Sequence, residues 1–211
     1  GEDNKYLRIA QIINSRAECA VVVSANKPDM QYNLQEEISY VISEIGEISE
    51  IIYIGISNGA SIGAIQGWQT KEIKNMLLIN GPLTINWPKI KSGVQNFNGD
   101  NIHFAYGRFD PSYKYFGMLE LINSEKHTKQ ILNGVDHNFK GKVDLFVAFC
   151  VNYVINQLNI EKPGMPEFFC TNYVYGKLGS GKSTFLIDLE EEWKYYGEEK
   201  VGNVIENLKK S

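Results

Sequence analysis

The spacing of apolar and polar residues along the chain predicts helices and strands in alternation. Apolar residues recur at helical spacing over 5–16, 34–45 and 143–158, which is typical of helices with one buried side. Asn33 and Glu36 form a capping pattern before the second of these helices, and Gly46 is placed to end it. A further helix is predicted at 117–123.

Short apolar runs rich in β-branched residues predict the strands. They lie at 20–23, 51–54, 74–79, 101–106 and 130–132. Strands separated by helices imply right-handed crossovers, which join parallel neighbours in one sheet. We therefore predict an α/β fold with a mainly parallel sheet flanked by helices.

The length and the breaker residues of the chain predict its domain organisation. With 211 residues, 43% of them hydrophobic, the chain can bury one sizeable core. Two prolines and a glycine cluster at 161–166 and predict a boundary there. We expect a main domain at 1–160 and a short C-terminal appendage at 161–211. The appendage is too short to fold alone, so we expect it to dock on the main domain or on a protein partner.

The charge and the cysteine content of the chain limit which binding partners and which cellular compartment are expected. The formal net charge is −4 and no block of Lys and Arg stands out, which excludes a typical nucleic-acid-binding surface. Cys19, Cys150 and Cys170 lie among apolar neighbours, and their odd number favours free buried thiols over a disulfide framework. No apolar run reaches the roughly 18 residues of a membrane span, and no signal peptide opens the sequence. These features predict a cytoplasmic protein without a membrane span.

The most informative motif is Gly-x-Ser-x-Gly at 55–59, directly after the predicted strand at 51–54. Small residues follow it and pass into a helical pattern. A sharp turn from strand to helix at Ser57 would expose its hydroxyl at the carboxyl edge of the sheet. The backbone N–H of Asn58 would then be the first donor to an oxyanion. The pattern is that of a nucleophile elbow.

Two further strand ends carry an acid and a base. Asp110 follows the strand at 101–106, and His137 follows the one at 130–132. Chemistry in a parallel α/β sheet gathers at the carboxyl ends of strands. A serine needs a base to take its proton, and the base needs a carboxylate to fix its tautomer. Ser57, Asp110 and His137 are therefore the candidate catalytic triad.

Other histidines and aspartates are weaker candidates for the site. His103 lies within a predicted strand, where a core or face position is expected, and His127 lies in a polar segment and is expected to be solvated. Asp100 precedes its strand and would lie at the wrong edge of the sheet. Asp136 adjoins His137 and is expected to shape its turn.

These motifs and their order Ser, Asp, His make the region from about residue 5 to 160 resemble the α/β-hydrolase superfamily. The resemblance implies a serine-dependent acyl-transfer enzyme that needs no cofactor or metal. It also implies an abbreviated sheet, because the strand at 20–23 would correspond to the fourth strand of the family and the strand that carries the second oxyanion donor would be missing. The turn at 24–26 could replace that donor, another part of a longer protein could supply it, or the site is degenerate. Alternatively, the chain is an inactive binding or scaffold protein with the same fold.

The segment between Pro82 and Asp100 is where members of this superfamily insert substrate-selecting caps. It is too short for a full helical lid, so an open cleft is expected with Trp87, Phe97, Tyr113 and Tyr115 near its mouth. Trp87 and Tyr113 are the candidate substrate-binding residues, although aromatics that simply cover core edges fit equally well. The small layout is similar to bacterial proteins that O-acetylate glycans. The expected substrate is thus a small-molecule or glycan ester, and the reaction is hydrolysis or O-acetyl transfer.

A second motif, G-x-x-x-x-G-K-S at 176–183, matches the phosphate-binding loop pattern. Gly181, Lys182 and Ser183 would contact the phosphates and a magnesium ion. Too few residues follow to supply the remaining strands of a nucleotide hydrolase. A flexible turn in the appendage is therefore the favoured interpretation, and nucleotide binding is the alternative.

Overall fold

The computed structural model of the chain describes residues 4–17, 19–23, 32–46 and 48–159. These residues belong to two compact units. One contains residues 4–17, 19 and 141–159, and the other contains residues 20–23, 32–46 and 48–140. The two units are described separately below.

The larger unit is built on a four-stranded parallel sheet. Its strands are β1 (Ile51–Ile56), β2 (Ile73–Ile79), β3 (Asn101–Gly107) and β4 (His127–Leu132), and their spatial order is the same as their order along the chain. Leu77 of β2 pairs with Ile54 on one side and with His103 on the other, and the register with β1 shifts once, between Ile51 and Ile52. All four strands run the same way, so their carboxyl ends meet at one edge. The segments that follow β1, β3 and β4 carry the candidate triad.

Helices flank this sheet and bury the apolar side of its strands. They are α2 (Leu34–Ile45), α3 (Asn58–Gln66), α4 (Trp87–Gln95) and the 3₁₀ helices Gly67–Gln69 and Pro111–Leu121. Alternate residues of β2 and β3 enter one core cluster with these helices, as the pleat of a strand requires. The largest strand residues in this cluster are Met76, Leu78, Ile102, Phe104 and Tyr106.

Small residues allow α3 and α4 to pack closely. Ala60, Gly63 and Ala64 of α3 are buried, and α4 presents Gly93 to this helix. A Cβ added at Gly93 would lie only 2.1 Å from the carbonyl oxygen of Ala64. The distance between the two helices therefore depends on the absence of a side chain at residue 93.

The smaller unit pairs α1 (Lys5–Asn14) with α5 (Val143–Gln157). Arg8 donates a hydrogen bond to Asp144 at 2.5 Å, and the ring of Tyr6 meets that of Phe146 edge-on. Burial raises the pKa of the Cys150 thiol on α5. In the part of the chain that the structure describes, no helix has both the length and the hydrophobicity needed to cross a membrane.

Most predicted elements form near their predicted positions, and the sequence-level signals explain where they begin. The Asn33 side chain accepts hydrogen bonds from the backbone N–H groups of Gln35 and Glu36, and α2 ends at Gly46, whose φ is 99°. The predicted mainly parallel sheet flanked by helices is confirmed. The boundary predicted near residue 160 stays a prediction, because residues 160–211 lie outside the described part.

Three local predictions were wrong. Residues 20–23 form no strand, and Val22 and Val23 are exposed, so their β-branched side chains lack the burial that stabilises a strand. The helix predicted at 117–123 spans Pro111–Leu121, because the Asp110 side chain caps it and Pro111 begins it. Cys19 is a free thiol as expected, but it is exposed rather than buried.

The contact at Gly93 generates a stability prediction. Gly93→Ala would force a methyl group against the Ala64 carbonyl, so we expect it to lower the free energy of unfolding by roughly 1–3 kcal/mol. Gly117→Ala is the matched control, because a Cβ there meets nothing within 4 Å. Urea unfolding measures both variants. Equal midpoints for the two would contradict the close helix contact.

Candidate active site

The turn at Ser57 has the strained geometry of a strand-to-helix elbow. Ser57 has φ 54° and ψ −118°, a conformation that L-residues rarely adopt. Its backbone N–H donates to the Ile79 carbonyl at the end of β2, and α3 begins at the next residue. These bonds hold the serine hydroxyl at the carboxyl edge of the sheet.

The two glycines of the motif have different roles. A Cβ at Gly55 would lie 2.5 Å from the Gly59 carbonyl oxygen and 2.7 Å from the Tyr53 ring, so only glycine fits there. A Cβ at Gly59 would meet only the Tyr53 hydroxyl, at an ordinary 3.7 Å. Tyr53 is half-buried, and its hydroxyl donates to the Gly59 carbonyl at 2.7 Å, which ties β1 to the first turn of α3. Burial raises the pKa of this phenol, which therefore stays protonated as a donor.

The acid of the candidate triad is Asp110, in the loop after β3. Its side chain is fully buried, and both carboxylate oxygens have partners. Oδ1 accepts from the backbone N–H of Ser112 at 2.6 Å, and Oδ2 lies 2.5 Å from Nδ1 of His137. A buried carboxylate is tolerated when it is hydrogen-bonded in this way. The same side chain thus caps the following helix and contacts the histidine.

The base of the candidate triad is His137, in the loop after β4. Asp136 shapes this loop as expected, since its Oδ1 accepts from the N–H groups of Asn138 and Lys140. Nε2 of His137 lies 3.1 Å from Oγ of Ser57. An ionised carboxylate can only accept, so the proton of a neutral imidazole belongs on Nδ1, which leaves Nε2 to accept from the serine. The imidazole is 37% exposed, which leaves it open to a substrate.

The structure thus brings Ser57, His137 and Asp110 into one hydrogen-bonded chain. The first backbone N–H groups of α3, at Asn58 and Gly59, have no acceptor within their own helix, because the first turn of any helix leaves its donors free. The helix dipole adds a partial positive charge at this end. The arrangement can deprotonate a hydroxyl and stabilise a developing negative charge beside it. Residues 24–26, the alternative source of a second donor, lie outside the described residues.

The remaining histidines lie outside this chain of contacts. His103 is on β3, where its ring nitrogens contact Thr128 and Gln130. The prediction that His127 is solvated was wrong. Its half-buried ring begins β4, with each nitrogen facing a carbonyl, one of Ser124 and one of Leu119. Because its ring is held by these backbone groups, His127 has a packing role.

The aromatic residues considered for substrate binding pack mostly on the core. Trp87, Tyr113 and Tyr115 are half-buried against the core cluster, and Arg108 donates to the Tyr113 hydroxyl. Phe97 is buried after the end of α4, so its prediction as a residue at the mouth of a cleft was wrong. A binding role for Trp87 and Tyr113 stays a prediction.

Sequence reasoning missed two residues next to the site. Phe109 directly precedes Asp110 and is 70% exposed. In the sequence, only its position in the loop that carries Asp110, here called the acid loop, could have drawn attention to it. Asn80 follows β2 in the run Asn-Gly-Pro and is buried completely. The other three described strands are each followed by a triad candidate, so the polar residue that follows β2 could have been noticed from the sequence.

A cavity of about 470 Å³ in the same unit lies away from the triad. Its lining comes from the residues just before α2, the end of α3, the 3₁₀ helix Gly67–Gln69 and α4. Ser57, Asp110 and His137 do not line it. Within the described ranges no three His, Cys, Asp or Glu side chains cluster as a metal site. The phosphate-loop motif with Gly181, Lys182 and Ser183 falls outside those ranges, so nucleotide binding stays a prediction.

Comparison with solved structures identifies the fold. A protein of unknown function from Agrobacterium tumefaciens, described as a candidate alpha/beta hydrolase, matches 76% of this chain and 79% of its own, with 19% identity and a TM-score of 0.58. An alpha-beta serine hydrolase homologue from Coxiella burnetii matches 72% of this chain and 77% of its own, with 16% identity and a TM-score of 0.54.

Est1E from Butyrivibrio proteoclasticus matches 60% of this chain and 68% of its own, with 10% identity and a TM-score of 0.52. It has also been solved with ferulic acid bound. No protein-family model and no curated protein matches the sequence. These likenesses show that the chain has the α/β-hydrolase fold.

The environment of His103 generates a prediction about stability and pH. Burial lowers the pKa of His103 below its ordinary value of 6.5, although its bond to Gln130 opposes the shift. The unfolded chain therefore binds this proton first as the pH falls, and the stability that His103 contributes is lost below about pH 6.5. We expect His103→Gln to lose less stability than wild type between about pH 7.5 and about pH 5.5. Urea unfolding at both values checks this, and an equal loss in both proteins would contradict it.

Proposed function

We propose that the protein is a serine-dependent acyl-transfer enzyme that acts on a small-molecule or glycan ester. The observation that carries the proposal is the hydrogen-bonded chain from Ser57 through His137 to Asp110 at a strained elbow. Strain of this kind persists only where the surrounding structure enforces it, and it clusters at functional sites. The α/β-hydrolase fold adds support, because it supplies a serine, an acid and a histidine in this order along the chain.

In the proposed first step, Oγ of Ser57 attacks the ester carbonyl while Nε2 of His137 takes the hydroxyl proton. The carbonyl oxygen becomes an oxyanion, which accepts a hydrogen bond from the backbone N–H of Asn58. Asp110 stabilises the imidazolium and keeps its proton on Nδ1. His137 then gives its Nε2 proton to the leaving alcohol as the C–O bond breaks, which leaves an acyl group on Ser57.

In the second step, His137 deprotonates an acceptor hydroxyl, which attacks the acyl carbonyl and releases Ser57. Water as the acceptor makes the enzyme an esterase, and a sugar hydroxyl makes it an O-acetyltransferase. The partly exposed imidazole and the exposed ring of Phe109 favour a site open to bulky substrates. Because Est1E has been solved with ferulic acid, feruloyl esters belong beside acetyl esters in a substrate panel.

The second candidate is a binding protein with this fold and no activity. The observation that favours it is that no strand precedes β1 among the described residues, whereas the second oxyanion donor of acyl transfer in this fold normally follows an earlier strand. Trp87 and Tyr113 would then form part of a binding surface rather than a catalytic cleft. Covalent labelling of the serine separates the two candidates.

A fluorophosphonate probe tests the proposed nucleophile. We expect it to label wild type, because the phosphorus reacts only with a serine hydroxyl that a base has activated. Labelling should disappear in Ser57→Ala and fall strongly in His137→Ala. Ser92→Ala is the matched control, since Ser92 is an exposed serine on α4 and should leave labelling unchanged. An unlabelled wild type would favour the inactive binding protein.

Asp110→Asn tests the proposed catalytic role of the carboxylate separately from its role in the fold. The amide oxygen can still accept from Ser112 N–H, so the helix cap is retained. The amide cannot stabilise the imidazolium or fix its tautomer, so we expect kcat to fall roughly 10³- to 10⁴-fold on a chromogenic ester. Circular dichroism verifies the fold. A folded variant with wild-type kcat would exclude Asp110 as the catalytic acid.

A further inference from the structure

Asn80 joins the three strand ends that surround the candidate triad. Its backbone N–H donates to the Ala105 carbonyl of β3 at 2.9 Å. Its side-chain Nδ2 donates to the carbonyls of Asp136 and His137 at 3.3 and 3.2 Å, and its Oδ1 accepts from the N–H of Gly107 at 2.8 Å. One side chain at the end of β2 therefore holds both the loop of His137 and Gly107, the last residue of β3 before the loop of Asp110.

The position allows few other residues. Asn80 has φ 52°, a left-handed conformation that asparagine tolerates better than most residues do. Its side chain is fully buried, so every polar atom needs a partner within the protein. Two donor hydrogens face two carbonyls and one acceptor faces an N–H, and these partners fix the orientation of the amide. Aspartate would lack the donors, and serine would lack the reach.

Neighbouring contacts hold Asn80 itself in place. The buried Tyr106 hydroxyl donates to the carbonyl of Gly81, the residue that follows Asn80. Burial raises the pKa of Tyr106, with Asp110 adding to the shift, so the phenol stays a donor. A Cβ at Gly107 would lie 2.5 Å from the Val135 carbonyl, so the acid and histidine loops already touch beside the Asn80 amide. Asn80 therefore bridges two loops that have little room to shift independently.

We propose that Asn80 is a positioning residue for the proposed acyl transfer, on which this inference rests. It acts through the backbone of His137 and sets the distance between the imidazole and both of its partners. The Asn80 amide contacts the backbone carbonyl of His137, the residue that carries the imidazole, and the N–H of Gly107, three residues before Asp110. Without the amide, the histidine loop loses two donors and both loops lose their common anchor. A shift of about 1 Å at reacting groups reduces rates by as much as about 10²-fold.

The variants separate positioning from general stability. Asn80→Ala removes the amide, and Asn80→Gly removes it while tolerating the positive φ. Asn75→Ala is the matched control, because Asn75 is a buried asparagine on the same strand and its Oδ1 has no hydrogen-bond partner within the described residues. Each protein is compared with wild type for kcat and KM on a chromogenic acetyl ester. Thermal unfolding identifies a temperature at which all of them are folded.

A second readout follows the triad directly. In wild type, the Nδ1 proton of His137 should give a strongly downfield proton NMR resonance, because it is shared with a buried carboxylate. His137→Ala assigns this resonance. We expect both Asn80 variants to lose or broaden it, while Asn75→Ala keeps it. A purely structural role for Asn80 would change the unfolding temperature and leave the resonance in place.

The expected result is a kcat roughly 10- to 100-fold lower in both Asn80 variants, with KM within about twofold of wild type and Asn75→Ala unchanged. Folded Asn80 variants that keep both kcat and the resonance would overturn the inference while the proposed function stands. An equal loss in Asn75→Ala would also overturn it. A wild type that neither turns over esters nor reacts with fluorophosphonate would instead reject the proposed function, and the inference with it.

Discussion

The contact between Gly55 and the carbonyl of Gly59 is the constraint on which the site depends. The chain can reverse from β1 into α3 within three residues only because nothing larger than hydrogen occupies residue 55. This tight reversal places Ser57 at a positive φ, and α3 begins at the next residue with its first backbone N–H groups free of intrahelical acceptors. One backbone feature therefore positions both the candidate nucleophile and the proposed oxyanion donor.

Burial of a carboxylate at Asp110 is the second condition. An ionised group in this position would destabilise the fold if it lacked partners, and the Ser112 amide and the His137 imidazole supply them. The capping bond also begins the helix Pro111–Leu121, which packs Leu119 into the core. The same side chain thus caps a helix and takes part in the proposed chemistry. Its contact with His137 requires the loops after β3 and β4 to lie side by side.

Sequence patterns predicted the parallel sheet and the three triad candidates because each depends on local signals. Gly-x-Ser-x-Gly after an apolar run and polar residues after two further strands are readable without knowledge of the packing. Asn80 was missed because its role lies in contacts with residues 27 and 57 positions away, which no local pattern encodes. Residues 20–23 were assigned wrongly because a local signal was followed where long-range contacts are lacking. A β-branched run forms a strand only where it also pairs with a neighbouring strand and is buried.

The sequence distances within the candidate triad have a kinetic consequence. Ser57 and His137 are 80 residues apart, and Asp110 and His137 are 27 apart. Contacts between distant segments form late in folding. The chain loses the entropy of closing a long loop before the contacts at its ends can stabilise it. Each strand from β1 to β4 must also pair in register before the two outermost loops can meet. The chain of contacts from Ser57 through His137 to Asp110 is therefore a property of the completely assembled sheet, and partly folded chains would hold Ser57 apart from His137.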